Sequence, residues 1–340
     1  MRYVTFVVRD EPRHARFGAL VGENVIDLER ARSWAQGAKS MPAEPLPSTM
    51  LELIHAGPGS WGYTHRLQAA LSDEPIGELK SAGRGQVGWP LSDVRLLPPL
   101  PRPMGLRDFY AFEEHVARAR ASRGQPVPDA WYQAPVFYFS NPNAAYGHDE
   151  VVPIPNYSQE LDYELEVACV IGQAGRDIPA DRAAAFIFGY MIFNDWSARD
   201  EQRWEMQVGL GPAKGKDFAS SFGPWLVTPD ELQDRKTDRM GVYDLPMTAR
   251  VNGEERSRGN WKDIHYSFAE MIARASADVF LLPGEVLGSG TVGSGSLLEL
   301  TGGEGPWLQA GDVVELEIDR LGTLRNVVGA QGSAEATAGN

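Results

Sequence analysis

The clearest pattern in the chain is an alternation of acidic and apolar residues that starts at Asp162 and continues into an unbroken apolar run ending at Gly172. With the two-residue period of a strand, Asp162, Glu164 and Glu166 share one face. The apolar run that follows is typical of a strand buried on both faces. Neighbouring carboxylates at the mouth of such a strand repel one another unless protons or a cation relieve the repulsion, and an Mg²⁺ or Ca²⁺ site is one explanation of the pattern. A solvated acidic face on an edge strand is the alternative.

The first hundred residues show short alternating segments and two amphipathic ones. We predict strands over 3–8, 16–21 and 24–28 and helices over 49–55 and 61–70. A proline-rich run over 96–103 is unfavourable to both helix and central strand. These features predict a small β-rich N-terminal domain over 1–100, a larger domain over 101–330 and a small, polar, disordered tail over 331–340.

The larger domain mixes strands, short helices and glycine-containing turns without regular strand–helix alternation, which predicts a β-dominated α+β fold. Within it, residues 106–120 have an apolar stripe at helical spacing. A helix over this segment would place Asp108 and His115 on one face, about 10 Å apart. That arrangement suits a metal ligand followed by a general base. An ordinary surface helix with a solvated histidine is the alternative.

Two further segments carry candidate chemistry. Asp195 ends an apolar run ahead of a predicted helix, where Ser197 and Asp200 resemble a capping box. A Gly/Pro loop then presents Lys214 and Lys216, either as a cation for an anionic intermediate or as ordinary solubility residues. Residues 288–293 match the dinucleotide-binding pattern in form, but a predicted short strand rather than a helix follows them, which argues against a nucleotide site.

Composition narrows the class of protein. The net charge of −14 over 340 residues argues against nucleic-acid binding, and an anionic substrate would need a local lysine or arginine. The single cysteine, Cys169, excludes an intramolecular disulfide and a cysteine-rich zinc site. The N-terminal segment has no signal-peptide hydrophobic region, and the longest apolar run, 183–193, is too short to cross a bilayer. We therefore expect a cytoplasmic protein with no membrane partner.

In order along the larger domain, these segments resemble the fumarylacetoacetate hydrolase family. The resemblance lies in a set of short motifs: Asp108-Phe109-Tyr110 with His115, Pro135-Val136-Phe137-Tyr138, Glu164-Leu165-Glu166, Asn194-Asp195-Trp196-Ser197-Ala198-Arg199-Asp200, Gly215-Lys216, Gly290-Thr291, Leu298-Glu299-Leu300 and the closing segments 311–318 and 322–326. Each motif is weak alone, whereas the ordered set is specific. The resemblance implies that the larger domain is a mixed β-sandwich roll and that the protein is a homodimer.

The resemblance also implies roles for individual residues. It implies Mg²⁺ or Ca²⁺, with Mn²⁺ as a third candidate, held by Asp108, Glu164, Glu166 and Asp195. It implies a water-activating base and catalytic partners at His115, Glu299, Lys216 and Gln202, with Glu299 orienting His115 and the last two stabilising an oxyanion. Substrate contacts are implied for Tyr110, Tyr138 and Thr291. Fumarylacetoacetases carry an arginine that contacts the distal carboxylate of the substrate. None of Arg118, Arg120 and Arg123 aligns cleanly with it, and Arg123 is our candidate for that role.

The expected activity is a metal-dependent hydrolysis of a C–C bond in a small anionic 1,3-diketo acid of the fumarylacetoacetate or acylpyruvate type. Such cleavage expels a carbanion that needs stabilisation as an enolate, and water attack needs a base with a pKa near neutrality. One alternative is a decarboxylase or tautomerase of the same family acting on a β-keto acid such as oxaloacetate. Another is a non-catalytic, metal-stabilised binding protein, against which the full set of site residues argues.

Overall fold

The computed structural model describes residues 1–83, 85–121 and 124–332. Its strands, in chain order, are β1 (Arg2–Val8), β2 (Arg16–Val21), β3 (Asn24–Asp27), β4 (Lys80–Ser81), β5 (Gly85–Gln86), β6 (Gly88–Pro90), β7 (Val94–Leu97), β8 (Gly105–Phe109), β9 (Phe137–Phe139), β10 (Ala145–Tyr146), β11 (Val151–Pro153), β12 (Leu161–Asp162), β13 (Leu165–Ile171), β14 (Gly175–Arg176), β15 (Ile187–Asp195), β16 (Ser197–Ala198), β17 (Ser220–Val227), β18 (Pro246–Val251), β19 (Glu254–Asn260), β20 (Phe280–Leu281), β21 (Glu285–Gly288), β22 (Val313–Ile318) and β23 (Gly322–Gly329).

The α-helices are α1 (Leu28–Ala38), α2 (Met50–Ala56), α3 (Pro58–Leu71), α4 (Glu113–Ala121), α5 (Arg199–Val208), α6 (Phe268–Ala275) and α7 (Leu297–Thr301). Short 3₁₀ helices span Ile76–Glu78, Leu91–Asp93, Asp129–Tyr132, Ala180–Phe186, Pro229–Arg235 and Trp261–Asp263. Among the described residues, none of the helices combines the length and apolar character that crossing a bilayer requires.

A large mixed sheet organises the molecule, and its main path runs β6-β3-β2-β1-β17-β15-β13-β21-β8-β9. Strand β7 pairs with β1, and β10 pairs with β17. The strands before residue 100 therefore continue the same sheet as those after it, through the antiparallel pairing of β1 with β17. The division into two domains near residue 100 remains a prediction.

Central strand β13 is buried on both faces, as its apolar run predicts. On one face Val167 and Cys169 belong to a core shared with the five-stranded sheet β11-β23-β22-β18-β19. On the other face Ala168 and Val170 pack in a core shared with α1, α2 and α3. Layers on both sides explain why the strand alternates between two buried environments rather than between core and water.

Much of the predicted architecture is confirmed. The fold is β-dominated α+β, and the predicted strands near the N-terminus and the two closing strands are present. The predicted helix over 49–55 corresponds to α2, whose N-cap Thr49 forms a capping box with Glu52. The apolar run over 183–193 supplies β15, every residue of which is buried within the chain. The predicted disordered tail lies, from residue 333 onward, outside the described residues.

Two local predictions were wrong, and one helix was not predicted. Residues 106–109 form strand β8 rather than the start of a helix, because β21 and β9 pair with it from both sides. Asp108 and His115 therefore do not share a helix face. The segment after Gly293 forms helix α7 rather than a strand, because the side chain of Ser296 caps it by accepting from the Glu299 N–H. A helix over 28–38, now α1, was not predicted.

The predicted capping box at Ser197 and Asp200 is also absent. Helix α5 begins after Ala198, which provides no side-chain cap. The Asp200 carboxylate instead accepts from the Ser158 hydroxyl at 2.6 Å and from the Gln159 N–H at 2.8 Å. The acidic residue thus ties α5 to the loop before β12, a tertiary contact that local sequence spacing does not reveal.

Candidate metal centre and active site

Four buried carboxylates converge at one end of the large sheet. They belong to Asp108, Glu164, Glu166 and Asp195, and each offers an oxygen within 4.8 Å of an oxygen of every other. None of the four residues exceeds 5% exposure. The structure therefore brings together the four residues predicted as metal ligands. The alternative of a solvated acidic face is wrong for this segment.

Strand pairing explains the convergence. Asp195 is the last residue of β15. In the antiparallel pairing of β15 with β13, this end lies beside the start of β13, which contains Glu166. On the other side of β13, β21 pairs antiparallel with it and parallel with β8, so Gly288 faces Asp108. The carboxylates thus come from three strands whose relevant ends meet at one edge, and Glu164 joins them from the segment just before β13.

Side-chain contacts test whether the cluster fits a divalent cation. The Lys216 ammonium donates to Oε2 of Glu164 and to Oδ2 of Asp195, both at 2.6 Å. The Tyr138 hydroxyl also donates to Oδ2 of Asp195. The other oxygen of Asp195, Oδ1, is buried and has no hydrogen-bond donor among the described residues. An orphaned carboxylate oxygen in a set of hard oxygen donors fits Mg²⁺, Ca²⁺ or Mn²⁺.

The electrostatics of the cluster support the same conclusion. Burial, followed by the charge of Asp195, raises the pKa of Asp108 well above its ordinary value. Burial and the charge of Asp108 likewise raise the pKa of Glu166. Burial would also raise the pKa of Glu164, but Lys216 and a neighbouring arginine hold it below its ordinary value. With all four carboxyl groups ionised, the cluster would carry more negative charge than its buried side-chain cations offset, and a bound dication would favour that ionised state.

The glycine-rich turn after β21 is part of this site. The N–H of Gly290 donates to Oδ1 of Asp108 at 3.1 Å and to Oε2 of Glu166 at 2.9 Å. Gly290 has φ +76°, and a Cβ there would lie 2.5 Å from the carbonyl oxygen of Phe109, so only glycine fits. The pattern over 288–293 thus orients two carboxylates, a role that its similarity to a dinucleotide motif did not suggest.

A histidine–carboxylate pair lies beside the cluster. His115, on α4, is 4% exposed, and its Nδ1 lies 2.8 Å from Oε2 of Glu299 on α7. The Ser294 N–H donates to the other oxygen of Glu299 at 3.0 Å, and the Ser296 hydroxyl donates to Oε2 at 3.1 Å. The Tyr110 ring packs edge-on against the imidazole. Glu299 is thus fixed on both oxygens and can hold the histidine in one orientation.

One cavity of about 330 Å³ connects these groups. Its lining includes His115, three of the four carboxylates and, among the other predicted site residues, Tyr110, Tyr138, Lys216, Gln202 and Thr291. Arg120 also lines the cavity, whereas Arg118 lies on the surface paired with Glu114. The candidate Arg123 lies outside the described residues.

The two lysines of the Gly/Pro loop have different environments. Lys216 is 3% exposed and contacts the carboxylates, while Lys214 pairs with Asp217 at the surface. Glu205 of α5 fixes this loop, because its carboxylate accepts the N–H groups of Ala213 and Gly215 at 2.8 and 3.1 Å. The loop therefore delivers one lysine to the site and leaves the other in solvent.

Sequence reasoning missed the ion pair between Asp162 and Arg199. Asp162 is buried, yet it is not one of the four clustered carboxylates. Its Oδ2 accepts from Nε of Arg199 at 2.8 Å, and Nη2 of Arg199 lies 2.8 Å from Oε1 of Glu164. Nη1 of Arg199 donates to Gln202 at 3.0 Å. The sequence offered two signals for this pair. Arg199 lies within the Asn194–Asp200 motif, and Asp162 is the third acid of the strand pattern, to which no role had been assigned.

Comparison with known proteins agrees with this geometry. Residues 106–329 match the family described as fumarylacetoacetate (FAA) hydrolase C-terminal. Oxaloacetate tautomerase YisK of Bacillus subtilis is 29% identical over 315 residues, covering 90% of this chain and 93% of that protein. Fumarylacetoacetase of Oryza sativa subsp. japonica is 30% identical over 345 residues, covering 86% and 80%. The solved structure of a fumarylacetoacetate hydrolase from psychrophilic Exiguobacterium antarcticum superposes with a TM-score of 0.67 at 26% identity, covering 97% of this chain and all of that chain.

Proposed function

Because the chain belongs to the fumarylacetoacetate hydrolase family, we propose that it is a divalent-metal-dependent hydrolase that cleaves a C–C bond in a 1,3-diketo acid of fumarylacetoacetate or acylpyruvate type. Within the family, one observation supports hydrolysis rather than decarboxylation. The buried pair of His115 and Glu299 lies beside the four-carboxylate cluster. Hydrolysis requires a base for water as well as enolate stabilisation, whereas decarboxylation requires only the second.

Asp108, Glu164, Glu166 and Asp195 are the residues that would hold the cation. When bound, a divalent cation supplies Lewis-acid stabilisation of the charge that develops on the oxygens of a β-dicarbonyl group. Mg²⁺ and Ca²⁺ both accept an all-oxygen ligand set, and Mn²⁺ is a third candidate.

The remaining chemistry belongs to side chains of the cavity. Glu299 faces Nδ1 of His115, which leaves Nε2 as the nitrogen that takes a proton from the attacking water. The Lys216 ammonium and the Gln202 amide stabilise negative charge on the substrate oxygens as the C–C bond breaks.

Residues of the same cavity would position the substrate. Tyr110, Tyr138 and Thr291 line it and provide hydroxyl groups. Arg120 is the candidate partner of a distal carboxylate, because it lines the cavity and carries the charge that an acidic substrate needs in a chain of net charge −14.

An assay of the purified protein with Mg²⁺ against fumarylacetoacetate, acylpyruvates and oxaloacetate tests the proposal. The expected result is hydrolysis of at least one diketo acid, detected by loss of its ultraviolet absorbance and by release of the two acid products. Turnover should stop with EDTA and return with added Mg²⁺. Conversion of oxaloacetate with no cleavage of any diketo acid would contradict the proposal.

A second candidate is an oxaloacetate-type tautomerase or decarboxylase. Its support is the similarity to oxaloacetate tautomerase over 90% of this chain. Hydrolysis and decarboxylation separate on His115, because decarboxylation needs enolate stabilisation but no activated water, whereas tautomerisation moves a proton and would also use an acid–base group. A His115→Ala variant that keeps full activity on oxaloacetate, in a protein that cleaves no diketo acid, would favour the decarboxylase.

We also propose that the protein is cytoplasmic and that it is a homodimer; the family resemblance implies the dimer. The apolar run over 183–193 gives no support for an interface, because β15 is buried in the core of the chain itself. Size-exclusion chromatography with light scattering at micromolar concentration tests the assembly. A mass of about one chain, 37.3 kDa, would refute the dimer.

A further inference from the structure

Asp162 links the carboxylate cluster, through Arg199, to the helix that carries Glu299. We propose that it is a positioning residue that fixes the metal ligand Glu164 and the base-orienting Glu299 relative to each other. The proposal rests on the proposed function for the roles of those two glutamates. The contacts that carry it involve both carboxylate oxygens of Asp162, which are engaged by two different parts of the fold.

The first connection runs through Arg199. This side chain is 3% exposed and lies between two carboxylates, with Nη2 2.8 Å from Oδ2 of Asp162 and 2.8 Å from Oε1 of Glu164. Nε of Arg199 donates to Oδ2 of Asp162, while Nη2 makes ion-pair contacts with both carboxylates, so one buried positive charge attracts both. Without the charge of Asp162, Arg199 would pair with Glu164 alone and would compete with the cation for that ligand.

The second connection runs through the start of α7. Oδ1 of Asp162 accepts the Leu297 N–H at 2.8 Å, and Oδ2 accepts the Leu298 N–H at 3.0 Å. Glu299 is the next residue along the chain, and its Oε2 lies 2.8 Å from Nδ1 of His115. Asp162 therefore holds the backbone from which the orienting carboxylate projects, while the same side chain holds Arg199.

Replacement of Asp162 by asparagine tests this connection with almost no change in shape. An amide offers one acceptor oxygen and one donor nitrogen, so it cannot accept from both Arg199 and the two N–H groups. We expect Asp162→Asn to lower kcat by about 10–100-fold and to weaken Mg²⁺ binding, with KM changed much less. In the metal-free protein, the imidazole NMR signals of His115 should shift, because the backbone that carries Glu299 loses the contacts of its Leu297 and Leu298 N–H groups with Asp162.

Asp27 provides a matched control. It is also a buried aspartate, it pairs with Arg16 at 2.9 Å, and it accepts the Arg30 N–H at 3.0 Å at the start of α1. Asp27→Asn removes a buried carboxylate charge beside an arginine and one acceptor oxygen, at a residue that does not line the cavity. A merely structural role for Asp162 predicts that both variants lose thermal stability alike, with kcat, Mg²⁺ affinity and the His115 signals unchanged below their melting temperatures.

A double-mutant cycle with Glu299→Gln separates positioning from an independent effect. If Asp162 acts through Glu299, Asp162→Asn should lower kcat much less in the Glu299→Gln background than in the wild type. Fully independent effects, measured at saturating Mg²⁺ so that weaker metal binding does not contribute, would overturn the proposal. An Asp162→Asn protein with wild-type His115 signals and Mg²⁺ affinity would also overturn it, and these two readouts apply even if no diketo acid is cleaved.

A second variant covers the case in which Asp162→Asn does not fold. Leu297→Pro deletes one N–H that Asp162 accepts, at the first position of α7, where proline is tolerated, and it leaves every charge in place. The His115 signals should shift in this variant while Mg²⁺ affinity stays close to wild type. Unchanged His115 signals in a folded Leu297→Pro protein would refute the connection through α7.

Discussion

Nδ1 of His115 lies 2.8 Å from Oε2 of Glu299, and both side chains are almost fully excluded from solvent. The two residues come from helices α4 and α7, which are far apart in sequence and pack against each other beside the carboxylate cluster. A buried carboxylate that contacts one imidazole nitrogen selects the tautomer in which the other nitrogen can accept a proton. The pair is therefore the feature of this site that distinguishes water activation from enolate stabilisation alone.

We predict that His115→Ala lowers the rate of diketo-acid hydrolysis by about 10²–10⁴-fold, because the general base is removed. Metal affinity should be nearly unchanged, since His115 is not among the clustered carboxylates. Steady-state kinetics and calorimetric titration with Mg²⁺ measure the two effects. His148→Ala is the control, because His148 is a partly buried histidine that accepts the Arg325 N–H and does not line the cavity. Full hydrolase activity in His115→Ala would exclude the residue from the mechanism.

Glu299→Gln should have a smaller effect in the same direction. The amide keeps the size of the side chain but removes the charge that stabilises and orients the imidazolium, while the base itself remains. We expect kcat to fall while Mg²⁺ affinity stays close to wild type. A loss larger than that of His115→Ala would show that Glu299 has a role beyond orienting the histidine.

Glu166→Gln should weaken divalent-cation binding by more than about tenfold, because it removes one of four ligand charges without changing the volume of the site. Calorimetry with Mg²⁺ and Mn²⁺ measures the affinity directly. Glu285→Gln is a matched control, since Glu285 is also buried and pairs with Arg107 outside the cluster. Equal affinity in wild type and Glu166→Gln would remove Glu166 from the ligand set.

Lys216→Met should reduce kcat by about 10²–10³-fold, as expected when a preorganised donor to a developing oxyanion is lost. The variant should also have a lower Tm without metal, because two buried carboxylates lose their shared cation, and Mg²⁺ should restore much of that Tm. Lys214→Met is the control, since it removes an equivalent charge from the same loop at the surface. Similar kinetic losses in both variants would argue against a specific role for Lys216.

Metal binding should depend on pH in a defined direction. Burial raises the pKa values of Asp108 and Glu166, so in metal-free protein the folded state binds more protons than the unfolded chain above the ordinary values of 3.8 and 4.5. These two groups therefore make metal-free stability fall as pH rises through the window between the ordinary and raised values. A bound dication displaces the protons, so its affinity should rise with pH.

Thermal melts with and without Mg²⁺ across a pH series measure this effect, and titrations in buffers of different ionisation enthalpy count the released protons. The stabilisation by Mg²⁺ should be larger at high pH than at low pH. In Glu166→Gln the metal-free Tm should depend less steeply on pH, which separates this carboxyl from Glu164, whose pKa is lowered instead. A rise in Tm that is equal at every pH would contradict the prediction.

The sequence by itself determined the fold class, the doubly buried strand β13 and the identity of the clustered carboxylates. The local residue pattern predicts the strand, because residues 165–171 alternate between two apolar layers. The carboxylates were found because an ordered set of short motifs resembles one family, and the structure then places them within 4.8 Å of one another. Helix α2 was predictable for a similar local reason, since its capping box lies within four consecutive residues.

Only the tertiary structure decided that one acid of the strand pattern lies outside the cluster and how the other acids reach it. Helical spacing around Asp108 was misleading, because pairing with β21 and β9 outweighed the local preference. Asp162 shares a face with Glu164 and Glu166 in the sequence pattern, yet it accepts from Arg199 and from the N–H groups of α7 and lies outside the four-carboxylate cluster. Hydrogen bonds and ion pairs between residues far apart in sequence leave no periodic signal, because their partners are set by strand order and packing rather than by spacing along the chain.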